Sequence, residues 1–167
     1  MKNIIYLLIF VFPFLMGGCS SKKDIIEPIK PTHIISESEA QEITGCDNLK
    51  LEYGAVVDMG ENTYKASYLS EPLGEADPVI VTIIYPSETI TETDIKEIYE
   101  KGYDSRHSKR RIEGIGDRAY VSFPAINILM GGHLIKITAG SGETKEQLET
   151  LINLGKRAVN NFELYYN

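Results

Sequence analysis

The sequence predicts an α+β fold: an antiparallel sheet with two main helices plus a short N-terminal helix, in a strands-then-helix arrangement occurring twice. Three observations predict it. Apolar runs of strand length fall into two groups, residues 49–85 and 118–139, and each group is followed by a segment with helical apolar spacing. The pair Gly131-Gly132 joins two such runs at hairpin spacing. The 167 residues are 43% hydrophobic and 25% charged, the composition of an ordinary globular chain, so one domain over residues 36–167 is the default.

The elements follow in order. Ser36 and Glu39 have the spacing of a capping box, Ala40 and Ile43 give an apolar edge, and Gly45 ends the turn, which defines the short first helix. The segments "LKLEYGAVVD" from Leu49, "NTYKASYLS" and "PVIVTIIY" read as strands, the last a central one because it is apolar on both faces. Thr91 with Asp94 predicts a helix start. Ile90 and Ile95 occupy staple positions, Ile95, Ile98 and Tyr99 form its stripe, and Lys101-Gly102 marks its end. After the polar loop "DSRHSKRR" come the strands "RAYVSF", "AINILM" and "HLIKITA". The final helix spans about Lys145 to Phe162, with Leu148, Leu151, Ile152, Gly155, Ala158, Val159 and Phe162 on one face.

The opening segment sets the expected compartment. Lys2 precedes an apolar run from Ile4 to Met16, well short of the roughly 20 residues that a membrane-spanning helix needs. The segment Leu15-Met16-Gly17-Gly18-Cys19 resembles the end of a bacterial lipoprotein signal peptide, with Met16 where the usual pattern has Leu. That resemblance implies removal of residues 1–18 and acylation of Cys19, diacylglycerol and palmitate together giving a stable anchor where one chain would bind reversibly. It also implies that Ser20, in place of Asp, suits the outer membrane or cell surface, with the outer face of the inner membrane as the alternative. Residues 19–35, rich in charge and carrying Pro28 and Pro31, read as the lipidated N-terminus and a flexible tether. Further on, "IEGIGDRAY" followed by a hairpin and a long helix is similar to small secreted actinobacterial lipoproteins that carry a Gly-Leu-Gly-Asp-x-Ala-Tyr segment, a family of undefined function.

Composition excludes some functions. A net charge of −7 disfavours nucleic acid, whose binding relies on Lys and Arg. The two cysteines, Cys19 and Cys46, cannot form a disulfide framework if Cys19 is acylated. No His or Cys spacing suits a metal, so no metal and no cofactor are expected. Cys46 and His133 could make a thiol–imidazole pair or be unrelated, with an inert buried thiol as the simpler reading. The glycine-rich "TAGSGETK" departs from a phosphate loop because Glu143 and Thr144 precede Lys145; it reads as a strand-to-helix connection with Thr144 and Gln147 as a capping box. Asp117 is expected to bond within the "GIGD" turn. Tyr64, Tyr68, Tyr85 and Tyr120 could form a recognition surface or be half-buried strand residues.

One charged cluster remains, Arg106, Lys109, Arg110 and Arg111, the candidate contact for an anionic partner. The leading expectation is a lipid-anchored, non-enzymatic binding or accessory domain of the cell envelope, with the membrane and an envelope protein as partners. An envelope enzyme, a hydrolase among the options, and a structural subunit of an envelope complex are the alternatives.

Overall fold

The computed structural model describes residues 28–52, 57–60, 62–105 and 109–166. Its elements run α1 (Pro31–Ile34), α2 (Glu37–Thr44), β1 (Leu49–Leu51), β2 (Val57–Asp58), β3 (Thr63–Ser70) and β4 (Val79–Ile84), then α3 (Glu92–Asp104). The second run is β5 (Arg110–Ile112), β6 (Arg118–Ser122), β7 (Ala125–Met130) and β8 (His133–Ala139), closed by α4 (Lys145–Tyr166). The strands pair antiparallel in the order β1-β3-β4-β8-β7-β6-β5, with β2 also on β3. The fold is therefore mixed α+β on an antiparallel sheet. β4 lies inside the sheet beside β8, which accounts for its two apolar faces.

Strand alternation sends one set of side chains to each face. On the first face Val81, Ile83, Ile126, Ile128, Ile135 and Ile137 are fully buried or nearly so against Leu151, Leu154 and Ala158 of α4. Gly155 lets that helix approach closely: a Cβ there would stand 2.7 Å from Ile126 Cδ1. On the second face a smaller core joins Ile95 and Tyr99 of α3 to Tyr120, Leu129 and Leu134. The hairpin between β7 and β8 turns on Gly131 (φ 51°) and Gly132 (φ 76°), which sets Met130 opposite His133 and fixes the register of both central strands.

Several sequence expectations need correction. The flexible tether does not extend to residue 35, because Ile29, Ile34 and Ile35 are fully buried and α1 packs on α4. Apolar residues flanking Pro31 supply that docking, which outweighs the extended bias of the prolines. The domain thus begins before Ser36. Helix α3 passes Gly102 and ends at Asp104, since Gly102 serves close packing: a Cβ there would meet the Tyr120 hydroxyl at 2.7 Å. Helix α4 likewise continues past Phe162 to Tyr166. Gln147 does not complete a capping box; its backbone N–H bonds Thr144 Oγ1 at 3.0 Å, while its amide donates to the Ala139 carbonyl. Asp117 reaches out of its turn to accept from the Gly131 N–H at 3.0 Å. Both remaining capping boxes are present as expected, Ser36 with Glu39 and Thr91 with Asp94.

Candidate binding cleft

The second face of the sheet changes character along the strands, and the register shows how. One row across the sheet reads Ile84, Leu134, Leu129 and Arg118, and α3 covers its apolar part. The next row reads Lys65, Thr82, Lys136, Asn127, Tyr120 and Arg111. The row beyond reads Ser67, Ile80, Thr138, Ala125 and Ser122. Polar side chains therefore occupy the sheet face where α3 runs out.

A cleft of about 430 Å³ opens there, within the size range of small-molecule sites. Ile84, Ile98, Leu134 and Phe123 give it an apolar wall, and Lys136, Asn127, Thr138 and Ser122 give it a polar floor. Lys136 stands at the centre of the middle strand and is the one charged group among the described residues that line the cleft. Among the described residues, none of these four polar side chains has a side-chain hydrogen bond or ion pair. The row also places Lys65 about 10 Å and Arg111 about 14 Å from Lys136 at the Cα atoms, two and three strand spacings away.

The acids on α3 near the cleft are engaged elsewhere: Glu97 pairs with Lys101 at 3.3 Å and Glu100 with Arg118. Burial, with smaller effects from Glu100 and Tyr120, pushes the Tyr99 phenol up to about 12, so it stays a neutral hydrogen-bonding group. Tyr99 and Tyr103 both meet Tyr120 edge to face, at ring-centroid distances of 5.0 and 5.3 Å. This aromatic cluster props up the α3 side of the cleft.

The basic cluster is placed only in part. Cys19 and Arg106 lie outside the described residues. Lys109 is half-buried over the Tyr103 ring, 4.2 Å from its centroid, and donates to the Tyr103 carbonyl at 2.6 Å. Arg111 stacks on the same ring at 4.5 Å. Arg110 is exposed on β5, on the opposite face of the strand from Arg111. Structure thus divides the run: two cations clamp Tyr103, and one of them, Arg111, belongs to the row that crosses the cleft floor.

The other sequence candidates separate. Cys46 lies beside Ala139 and Gly140, whereas His133 begins the same strand, about 20 Å away along its seven residues. No thiol–imidazole pair forms. Cys46 is half-exposed, not buried, with its thiol toward the Thr44 carbonyl at 3.7 Å. His133 is structural: Nδ1 is 2.8 Å from the Gly131 carbonyl, an acceptor, so Nδ1 carries the proton and Nε2 accepts from the Tyr166 hydroxyl at 3.2 Å. Burial pulls its pKa below the ordinary value, against the opposing pull of the Gly131 carbonyl and Glu92. The tyrosines do not share a surface either. Tyr68 is buried and donates to the Ile35 carbonyl, Tyr64 stacks on Tyr85 at 5.5 Å on that same face, and Tyr120 is on the other.

Sequence reasoning missed Lys136, Asn127 and Thr138. A signal existed: one lysine inside "HLIKITA" and one asparagine inside "AINILM" interrupt strands that are otherwise apolar, and a polar residue on a central strand implies an uncovered patch. Among the described residues no group of three His, Cys, Asp or Glu side chains is placed to hold a metal ion, and no helix is long and apolar enough to cross a membrane. No family model and no curated protein matches the chain. Among solved structures it is similar to a GTP binding regulator from Thermotoga maritima, at 13% identity and a TM-score of 0.39, covering 76% of this chain and 93% of that one.

Proposed function

We propose that this chain is a lipid-anchored binding domain of the bacterial envelope, held at the membrane through Cys19, and that the cleft between α3 and the sheet is its binding surface. The anchor rests on the segment Leu15 to Cys19 and its resemblance to a lipoprotein signal peptide. The observation that carries the binding role is the convergence of Lys136, Asn127, Thr138 and Ser122, unspent hydrogen-bonding groups, on one cleft of ligand size. Among the described residues every buried side-chain N and O atom has a partner. Glu39, for instance, accepts from Ser36, Arg157 and Asn161. Groups that fold stability does not use are the ones available to a partner.

The test has two arms. Mass spectrometry of the membrane-associated protein should find an acylated Cys19 as the first residue, and Cys19→Ala should release the chain from membranes. A photoreactive amino acid at Ile98, on the cleft wall, should capture a specific molecule in intact cells. The same group at Glu163, an exposed position on α4, should not. An unacylated terminus removes the anchor, and identical capture at both positions removes the cleft.

A further inference from the structure

We infer that the cleft takes an organic carboxylate with a compact apolar body, its carboxylate on Lys136 and Asn127 and its apolar part against Ile84, Ile98 and Leu134. This rests on the cleft being the binding surface. Three features select that chemistry. Lys136 offers N–H donors and no acceptor and so selects an acceptor, while the hydroxyls of Thr138 and Ser122 and the amide of Asn127, which donate or accept, accommodate one. No carboxylate is among the described residues that line the cleft, so a ligand anion meets no repulsion from its walls, whereas a ligand cation would face Lys136. The polar floor adjoins an apolar wall made by Ile98 of α3 and the covered row Ile84–Leu134, so one molecule with a charged end and an apolar end satisfies both.

The location adds to this. Lys136 is on the middle strand between Thr82 and Asn127, on the part of the second face that α3 leaves open to water. Lysine there carries a hydrated charge with no partner in the fold. Lys136 is exposed, so a carboxylate at that point gains a charge-assisted hydrogen bond that water still screens, and the adjoining apolar wall supplies the rest of the attraction. Lys65 and Arg111, farther along the same row, extend the positive field in a chain whose net charge is −7, and so direct an anion to this face.

The test uses the full chain as its host processes it, in nanodiscs of envelope lipid, with empty nanodiscs as the control. The probes are 3-(4-fluorophenyl)propanoate, its neutral amide and the matching propylamine, followed by fluorine NMR. The carboxylate should bind about tenfold or more tightly than the amide, and the amine should not bind. Lys136→Gln should remove that preference, Lys136→Arg should keep it within roughly threefold, and Ile98→Trp should block the cleft. Equal affinity for carboxylate and amide on the unaltered chain overturns the inference and needs no variant to fold. Inorganic phosphate displacing the probe as well as the carboxylate does overturns the apolar requirement. Capture at Ile98 with no charge preference sinks only this ligand class; no capture at Ile98 sinks the cleft itself.

Discussion

At the scale of single residues, two positions show competing forces whose sizes decide the outcome. Gly155 is in the interior of α4, where alanine would raise helix propensity by about 1 kcal/mol. Its Cβ, however, would press on Ile126 Cδ1 at 2.7 Å, with Ile128 and Ile115 at ordinary contact, and Ile126 has no exposed surface into which to move. Overpacking costs about 1–3 kcal/mol, so Gly155→Ala should destabilise by about 1 kcal/mol in urea unfolding. In an Ile126→Val background, which removes the nearest atom, the same change should become neutral or stabilising. His133 carries a pH prediction. Its folded pKa lies below the ordinary value of about 6.5, so the unfolded chain binds more protons in the interval between the two. The stability from the neutral imidazole is complete above the unfolded pKa and is lost as pH falls from there toward the folded one. The urea midpoint should therefore drop as the pH falls below about 6.5 toward the lower folded value, and His133→Gln should flatten that drop. A slope unchanged in the variant would move the effect to another group.

At the scale of elements, the capping signals were legible and the docking of α1 was not. A capping box needs residues three apart in sequence, so Ser36 with Glu39 and Thr91 with Asp94 could be read directly. Ser36→Ala should cost about 1 kcal/mol. The burial of Ile34 and Ile35 depends on α4, more than a hundred residues away; Asn161 even donates to the Ile34 carbonyl at 3.0 Å, and no local pattern announces it. This docking gives a sharp prediction. Ile34→Ala should cost about 2–4 kcal/mol in urea unfolding, as Ile137→Ala in the central strand should, because both side chains are fully buried. A tether residue would show almost no effect. The ends of the sheet are managed locally too: Glu37 accepts from the Leu51 N–H at 2.8 Å, covering a donor on the edge strand β1.

At the scale of the whole molecule, the alternation of apolar residues was enough for the fold class, since apolar residues on both faces of "PVIVTIIY" suit a strand inside a sheet, where β4 lies. The cleft was illegible for a different reason. It exists because α3 covers the Ile84–Leu134–Leu129 row and only Tyr120 of the next, and how far a helix reaches over a sheet is set by tertiary packing, here by Tyr99, Tyr103 and Tyr120. The same long-range packing limits where the domain can stand on the proposed anchor. With α1 docked, the chain between Cys19 and Pro28 spans at most about 30 Å even when fully extended. A tether free through residue 35 would reach about 55 Å. Neutron reflectometry on a supported bilayer should find the gap between lipid headgroups and protein below about 30 Å, and inserting ten Gly/Ser residues after Ser21 should raise that ceiling by about 35 Å. A wider gap in the unaltered chain has two readings, a free α1 or an attachment elsewhere. The Ile34→Ala result separates them: a large loss of stability keeps α1 docked and leaves Cys19 as the assignment in error.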